Sequence, residues 1–521
     1  MNSKKYNSVF IISVVVLCLI VVWGAFLPDS FQIAVDSGLA FITNWFTEYY
    51  ILVMSSFVIF SFFLLFSKYG KIKLGEDDSK PEYSFLSWFA MLFSAGMGIG
   101  LVFWGVAEPI GHYLSPIAGV DPASAESMKF AFRKSFLHWG LHPWAGYVVI
   151  GGALAYMQYR KNKPGLISSL LIPIFGDKSV QGPLGKTVDI VAIFATVAGI
   201  VTSLGLGAYQ INSGLNYLFG IPENNTVVFI IVVVATVMFV ASSVSGLDKG
   251  VKLLSNINVS LAFLILVLTL IVGPTLLMFK NLFGGIFEYV IHLIPDMLPI
   301  GITDETKGWY GGWTVFYWAW WIAWAPFVGS FIARISKGRT IGEFVVGVLF
   351  APLAASLIWF AVFGTAGINL GPEIAAEAAA NTSTAVFVTM SHYKLGTLIS
   401  GITTVLLCTF FVTSADSGTF VLGIFSSDGD LNPTASKKII WGVIITMMAL
   451  VLMFASDSGL QNVQTASIIV ALPFSFIMIV AMIAWVKALL EEKTNNSTKT
   501  SKSEKISTVE SVSEVAEEIK E

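Results

Sequence analysis

The aromatic side chains of residues 313–332 have the most distinctive chemistry in the chain. This uncharged stretch contains five tryptophans: Trp313, Trp318, Trp320, Trp321 and Trp324. Three of them, Trp318, Trp321 and Trp324, form an i,i+3 stripe on a helix. Tryptophan in membrane segments usually collects at the two interfaces. Here the cluster falls near the middle of the segment, and Pro326 follows the cluster. We therefore expect the helix to be interrupted at Pro326 and to line a cavity.

A second aromatic group occurs in residues 138–147. Trp144 and Tyr147 are i,i+3 neighbours, and Trp139 can reach the same side from just before Pro143. A desolvated cation is attracted to an aromatic face by roughly 2 kcal/mol or more, and tryptophan is the best partner. A quaternary ammonium group has no N–H, so it needs ring faces and not hydrogen-bond acceptors. The two groups therefore predict a cage for a methylated cation, and interfacial anchoring is the alternative.

Hydroxyl groups inside an apolar stretch suggest an ion site. Thr413 and Ser414 offer two hard oxygens, and an unwound helix nearby could add carbonyl oxygens, a combination that suits sodium. The alternative is that both hydroxyls bond the carbonyls one turn earlier in their own helix. Asp416 is an intramembrane acid, which is either functional or a structural cap.

Other motifs do not support enzymatic chemistry. His138 and His142 are spaced i,i+4, but no Glu follows the first His, and Pro143 disturbs the turn. Gly185-Lys186-Thr187 resembles the end of a phosphate-binding loop, but Val180 stands where the first glycine is required. We therefore expect neither an enzyme nor an organic cofactor, and no nucleic-acid partner.

Composition places these groups in a polytopic membrane protein embedded in a lipid bilayer. The 521 residues are 55% hydrophobic and 12% charged, with a mean hydropathy of +0.78, whereas soluble domains carry about 25% charged residues. We predict an all-α fold with twelve membrane spans. The predicted spans are 9–27, 50–66, 86–107, 139–157, 188–211, 226–243, 254–279, 313–332, 341–363, 398–424, 439–454 and 467–486.

The distribution of basic residues predicts the orientation. With the N-terminus in the cytoplasm, the inner loops hold 16 Lys and Arg and the outer loops hold 6. By the positive-inside rule, both termini are cytoplasmic. The first apolar run has no evident cleavage site and is long for a signal peptide, so we interpret it as a span.

Two predicted spans contain helix-breaking residues. Span three has glycines at alternate positions, Gly96, Gly98 and Gly100, and span eight has Pro326 followed by Gly329. Each begins a group of five spans, and interrupted helices at corresponding positions indicate the midplane site of a secondary transporter. The alternative is that the glycines only permit close helix packing.

Five regions follow from this pattern. They are two N-terminal spans (1–67), a first repeat (86–279), an amphipathic helix on the outer interface (281–299), a second repeat (313–486) and a charged cytoplasmic tail (487–521). The tail has 6 Lys and 8 Glu, and we predict that it is mostly disordered, with helix allowed in its last residues.

The chain resembles the betaine/carnitine/choline transporter family. The similarity lies in Trp313–Trp321, Gly96–Gly100, His142–Trp144 and Phe411–Ser417, and it extends over roughly residues 9–486. The most similar members are glycine betaine carriers of bacteria. The resemblance implies a LeuT-like five-plus-five inverted repeat preceded by two extra helices. It also implies a homotrimer in the bacterial plasma membrane.

The resemblance also implies roles for individual residues. Substrate would be bound by Trp139, Trp144, Tyr147, Ser203, Trp321, Trp324 and the span-three backbone at Met97, Gly98 and Gly100. The inner pathway would be lined by Trp318, Trp320 and Phe327. Sodium, the coupling ion, would be held by Thr413 and Ser414 with backbone oxygens near Ser94, Met97 and Phe410, and a second sodium would lie near Thr196 and Phe327.

Three positions distinguish this chain from other family patterns. Ile200 stands where sodium-coupled betaine carriers have a second threonine, although Thr202 or a backbone group could compensate. In exchangers of the family a positively charged side chain replaces sodium, but span seven of this chain has no Lys or Arg. Gly100 stands where proton-coupled choline carriers have Asp.

We therefore predict a sodium symporter that imports glycine betaine, or a similar trimethylammonium zwitterion, for osmoprotection. The alternative is a proton-coupled or exchange-type choline or carnitine carrier.

Overall fold

The computed structural model describes residues 7–96, 98–245 and 248–518, and the backbone in these ranges is predominantly helical. In chain order the α-helices are α1 Ser8–Phe26, α2 Pro28–Trp45, α3 Thr47–Phe66, α4 Phe85–Gly96, α5 Ile99–Leu114, α6 Ala125–His138, α7 Leu141–Ala155, α8 Ile172–Val180, α9 Pro183–Phe219, α10 Asn225–Ser245, α11 Asp248–Val272, α12 Thr275–Ile291, α13 Leu293–Asp296, α14 Lys307–Tyr310, α15 Phe316–Ile335, α16 Ile341–Ile368, α17 Pro372–Ala380, α18 Ala385–Ser391, α19 Gly396–Phe425, α20 Ala435–Phe454 and α21 Gly459–Glu518.

Ten helical segments in the described ranges are long and apolar enough to cross a membrane. They correspond to ten of the predicted spans. The other two predicted spans coincide with shorter helices, because span three is divided between α4 and α5 and span four is the 15-residue helix α7. A total of twelve spans therefore stays a prediction, as does the inverted repeat.

The interruption predicted in span three is present. Gly98 has an extended backbone, with φ −159° and ψ −177°, and it separates the end of α4 from the start of α5. Closely spaced glycines disfavour a helix because of their backbone entropy. Met97 lies outside the described residues, and so do the side chains of residues 93–96.

The interruption predicted at Pro326 is wrong, because α15 continues through this residue. A proline removes one N–H from a helix, and membrane helices tolerate this loss where neighbouring groups rescue the backbone. The irregular turn of span eight lies earlier, at the π-helical segment Gly311–Val315.

Two further boundaries differ from the predictions. Helix α2 was not predicted; Pro28 at its first turn favours helix initiation, and Gln32 ties it to Asn462 and Ser456 at 2.8 Å. Span seven ends at Val272, because Gly273 and Pro274 stop α11 before α12 begins.

The last helix, α21, continues to Glu518, so the prediction of a mostly disordered tail is wrong. Residues can be added to an existing helix without repeating the cost of nucleation.

Helix α12 covers most of the segment predicted to be amphipathic. Its exposed face carries Phe279, Phe283, Phe287 and Val290, while Met278, Asn281 and Tyr289 are buried. It packs against α6 and α16. The apolar outer face suits a membrane or subunit contact, and its position in the interface stays a prediction.

A buried ion cluster attaches α13 to α6. The Asp296 carboxylate accepts from Arg133 Nε and from Lys134 Nζ, each at 2.8 Å, and the side chains of Lys134 and Asp296 are both 3% exposed. Burial raises the pKa of Asp296, but the two cations outweigh this and hold it below its usual value. Burial dominates for Lys134, whose own pKa is lowered. Asp296 is therefore expected to determine how the stability of the fold decreases at acidic pH, because two positive charges act on its carboxylate.

Asp296→Asn is expected to destabilise the protein by about 3 kcal/mol at neutral pH, because it leaves a buried Lys134 without its counter-charge. A carboxyl with a lowered pKa stabilises the fold above its unfolded pKa of about 4 and loses that contribution as the pH falls. Thermal unfolding in detergent should show that the wild type loses stability from pH 5 downwards and that the variant loses less.

The matched control is Asp177→Asn. Asp177 pairs with Lys163 at 2.8 Å but is half exposed, so we expect a change below about 1 kcal/mol. Equal losses in the two variants would contradict the importance of the buried cluster.

Candidate functional site

A cavity lies where α5, α7, α9, α15 and α19 meet. Its empty volume, with the open solvent at its mouth included, is about 550 Å³. Its wall consists of Gly98, Ile99, Gly100, Leu101, Trp139, Pro143, Trp144, Tyr147, Ser203, Trp320, Trp321, Trp324, Val328 and Ser414. Of the nine residues predicted to bind substrate, eight line this cavity, and the ninth, Met97, lies outside the described residues.

Indole rings from two segments meet at one end of the cavity. Trp139 ends α6, and its ring lies 4.8 Å from that of Trp321 at an interplanar angle of 80°. The Trp321 ring is also stacked on Trp320 at 5.0 Å. The Trp321 indole donates from Nε1 to the His138 carbonyl at 2.9 Å, which fixes the direction in which its face points.

Helix α7 supplies a second aromatic wall. Trp144 and Tyr147 are one turn apart, and their rings meet edge to face at 5.3 Å and 80°. Pro143 is tolerated because it lies in the first turn of α7, where a missing N–H breaks no intrahelical bond. Helix α15 packs extensively against α7, so the two predicted aromatic groups enclose a common space.

The third side of the cavity centres on the Gly199 carbonyl of α9. Trp324 donates to it from Nε1 at 2.7 Å, and Ser203 from its hydroxyl at 3.3 Å. The ring of Phe327 lies 5.3 Å from that of Trp324. Trp321, Trp324 and Phe327 form a half-buried i,i+3 stripe on α15.

The other two tryptophans of α15 are 1% exposed. Trp320 has one edge in the cavity wall. Trp318 lies on another side, with its ring stacked on His142 at 4.8 Å. The predicted pathway residues are therefore not grouped together: Phe327 adjoins the cavity stripe, Trp320 forms wall, and Trp318 is packed behind it. Their role in a pathway stays a prediction.

The N-terminus of α5 faces the cavity. Gly98 precedes it without a side-chain cap, and Gly98, Ile99 and Gly100 all line the cavity. The first N–H groups of a helix have no intrahelical acceptor and carry partial positive charge. An anionic group of a ligand is therefore favoured at this end. Trp139 and Trp320 approach Gly100 so closely that a side chain there would contact both rings.

One buried carboxylate behind the cavity was missed in the sequence. Glu108 Oε2 accepts from Trp139 Nε1 at 2.8 Å and from the Tyr317 hydroxyl at 2.6 Å. Its Oε1 lies 2.7 Å from His138 Nδ1 and 3.2 Å from His112 Nε2. The sequence did contain a signal for this residue: Glu108 is an acid that directly follows residue 107, the predicted end of span three.

The structure groups His138 with residues other than His142. The possible ligand atoms of Glu108, His112 and His138 all lie within 4.8 Å of one another. Hydrogen bonds among these groups account for that spacing.

The hydroxyls predicted to hold sodium are on α19. Thr413 Oγ1 donates to the Thr409 carbonyl at 3.0 Å and accepts from Asn258 Nδ2 at 3.1 Å. Ser414 is half buried and lines the cavity. The bond from Thr413 to its own helix is the alternative left open by the sequence. Phe410 also lies on α19, where its carbonyl accepts from Thr413 at 3.3 Å.

The region of the predicted second sodium is apolar on one side. Thr196 Oγ1 donates to the Ala192 carbonyl at 2.8 Å, and Ile200 packs directly against Gly418 of α19. Thr202 does not supply the missing hydroxyl here. Its Oγ1 faces α21, where it contacts the Val463 carbonyl and lies 2.8 Å from Ser467 Oγ. The reason is the helical repeat, which directs residues 200 and 202 to different sides of α9.

A membrane protein with an aromatic cavity beside an interrupted helix has the features of a secondary transporter. The family model described as BCCT, betaine/carnitine/choline family transporter, matches residues 8–494. The chain belongs to this family: it is a multi-pass membrane transporter of bacterial type and not an enzyme, as predicted.

Similar proteins include two glycine betaine transporters. The glycine betaine transporter OpuD of Bacillus subtilis (strain 168) is 48% identical over 94% of this chain and 96% of its own length. The probable glycine betaine transporter of Desulfitobacterium hafniense (strain Y51) is 43% identical, covering 94% and 98%. The ectoine/hydroxyectoine transporter of Virgibacillus pantothenticus is also 43% identical, covering 94% and 97%.

Proposed function

We propose that this transporter imports glycine betaine, or a similar trimethylammonium zwitterion, together with sodium. The observation that carries the proposal is the cavity itself, which joins aromatic walls to a helix N-terminus. A trimethylammonium group would lie against Trp139, Trp144, Tyr147 and Trp321. The carboxylate would lie at the start of α5, with Ser203 beside it.

The relatives narrow the substrate class without fixing the substrate. Two of them are named for glycine betaine, and one for ectoine and hydroxyectoine. The cavity favours betaine among these because it offers ring faces, which suit a methylated cation that has no N–H to donate.

Sodium coupling is supported by the chemistry of the coupling region. Thr413 and Ser414 provide two adjacent hydroxyls on α19, and Ser414 lines the same cavity as Gly98 at the interruption of span three. Residues 254–279 have no Lys or Arg that could replace sodium. Gly100 stands where proton-coupled members of the family have an Asp, so this position provides no carboxylate for a proton. These absences favour sodium symport over exchange or proton coupling.

The remaining features are proposed with the function. They are twelve spans with a five-plus-five inverted repeat, alternating access by one repeat moving against the other, cytoplasmic termini, a homotrimer and a role in osmoprotection.

Purified protein in liposomes tests the proposal. Labelled betaine is expected to accumulate under an inward sodium gradient, and replacement of sodium by potassium should abolish accumulation even when a proton gradient is present. Unlabelled choline, carnitine and ectoine serve as competitors. Accumulation without sodium would refute the coupling, and stronger competition by ectoine or choline than by betaine would refute the substrate.

The second ion site can be tested by Ile200→Thr. A hydroxyl on this face of α9 is expected to add an oxygen ligand near Thr196, and so to increase the Hill coefficient for sodium and lower the half-saturating concentration. Ile200→Val is the matched control, because it has the same branched shape without the hydroxyl. The sodium dependence of initial betaine uptake measures both. Identical curves for the two variants would contradict a latent site at this position.

A further inference from the structure

Glu108 is a carboxylate shared by four side chains from three parts of the fold. It is fully buried. Its partners are His112 one turn later on α5, His138 and Trp139 at the end of α6, and Tyr317 on α15. Sequence separations of 31 and 209 residues for Trp139 and Tyr317 show that the tertiary fold brings the group together.

The hydrogen-bond directions differ between the two oxygens. An indole N–H can only donate, so Oε2 is the acceptor for Trp139. The Tyr317 hydroxyl lies 2.6 Å from the same oxygen, as a donor to a carboxylate does. Any proton shared with the imidazoles therefore resides on the Oε1 side. Oε2, the oxygen that faces the cavity wall, therefore serves as the acceptor for both Trp139 and Tyr317.

This carboxylate acts on both indoles that meet at the end of the cavity. Trp139 is held directly through Nε1. Trp321 is held indirectly, since its Nε1 donates to the carbonyl of His138, whose ring contacts Glu108 Oε1. Thr314 lies 3.0 Å from the other ring nitrogen of His138 and completes the fixation of that residue. One buried acid thus contacts Trp139 directly and also contacts the side chain of His138, whose carbonyl accepts from Trp321.

A charge-assisted hydrogen bond does more than orient a ring. A negatively charged acceptor on Nε1 polarises the indole and increases the electron density of its face, and bonds of this kind reinforce one another in a low-dielectric interior. The attraction between a ring and a cation depends on that density.

We propose that Glu108 is a positioning and specificity-determining residue: it sets the angle of the Trp139 and Trp321 faces and makes the Trp139 face more attractive to a cation. This inference rests on the proposed function, because it assumes that the cavity binds a quaternary ammonium group. It predicts that Glu108 matters more for a ligand with a positively charged head group than for a ligand of the same shape whose head group is uncharged.

Two ligands separate charge from shape. Betaine carries a trimethylammonium group, and tert-butylacetate is its isostere with a quaternary carbon in place of nitrogen. The ratio of their dissociation constants, measured by quenching of tryptophan fluorescence on the purified full-length protein, reports how strongly the cavity discriminates in favour of the positive charge.

Glu108→Gln is the main variant because an amide oxygen can still accept from Trp139 and Tyr317 while the charge is lost. We expect it to reduce the discrimination ratio by about tenfold, in line with the strength of a buried cation–π contact. Asp189→Asn is the matched control. Asp189 is another buried carboxylate, bonded to the Ser168 N–H and hydroxyl at 2.9 and 2.8 Å and not part of the cavity wall, so the ratio should not change.

A second test uses Trp139→Phe, which removes the N–H. In that background, Glu108→Gln should produce little further change in the ratio, because the link between the carboxylate and the ring is already broken. All ratios are measured on protein that elutes at the wild-type size.

The outcomes are distinguishable. A reduced ratio in Glu108→Gln with an unchanged ratio in Asp189→Asn supports the proposal. An unchanged ratio in Glu108→Gln, or equal weakening of both ligands, overturns it, because a purely structural residue would behave so. If the wild type itself binds tert-butylacetate as tightly as betaine, the proposed function fails before Glu108 is in question.

Discussion

Replacement of Trp321 by alanine is expected to reduce betaine affinity by about 30-fold or more, because it removes one cation–π face of roughly 2 kcal/mol together with part of the ring packing. The Trp321 ring contacts Trp139 at 4.8 Å and Trp320 at 5.0 Å. Its loss opens the end of the cavity and removes the ring that packs against Trp139. The effect should appear in the dissociation constant and in the KM of uptake.

Trp321→Phe is the matched control. It retains an aromatic face and loses the bond from Nε1 to the His138 carbonyl, so we expect an intermediate loss of severalfold. A second control is Trp485→Phe, because Trp485 is buried on α21 and is not part of the cavity wall. All variants should elute at the wild-type size. Wild-type affinity in Trp321→Ala would refute the aromatic cage.

Much of the cavity could be predicted from the sequence because its aromatic residues lie close together in the chain at helical spacing. Trp321 and Trp324 are one turn apart, and so are Trp144 and Tyr147, so each pair is evident without a structure. That the aromatic groups of residues 138–147 and 313–332 face each other across one site is what the resemblance to the family implies. The structure adds the actual contact between Trp139 and Trp321.

Glu108 could not be placed by the same reasoning. An acid at the end of a span is an ordinary sequence feature, and its role depends on Tyr317, which is 209 residues away. Pro326 shows the opposite error. Proline usually ends a helix in soluble proteins, but α15 continues through Pro326, which is buried among packed neighbours. Local preference decides less where tertiary packing surrounds the backbone.

The region around Ile200 lies between these cases. The sequence shows that a hydroxyl is missing, and the structure shows that the alkyl group fills the gap against Gly418 while Thr202 faces α21. A sequence cannot indicate which of two nearby hydroxyls points toward a site, because the answer depends on how α9 is rotated against its neighbours.

Gly100→Asp is expected to reverse the preference between betaine and choline. Choline is a net cation and gains from a buried counter-charge, whereas betaine brings its own carboxylate, which the new side chain would repel. The position lies in the first turn of α5, where an acidic side chain is also favoured by the helix dipole. We expect the ratio of choline to betaine affinity to rise by about 100-fold, the effect of some 3 kcal/mol.

Steric effects must be separated from charge at this position. A Cβ at residue 100 would lie 3.2 Å from Trp139 Cη2 and closer still to the Trp320 ring, so any side chain requires Trp320 to move. Gly100→Ala is therefore the necessary control, and it should weaken both substrates together. Gly100→Asn adds the same volume as aspartate without the charge. If Gly100→Asp and Gly100→Asn show the same choline-to-betaine ratio in competition uptake, the charge has no role, and the glycine is needed only because the Trp139 and Trp320 rings leave no room for a side chain.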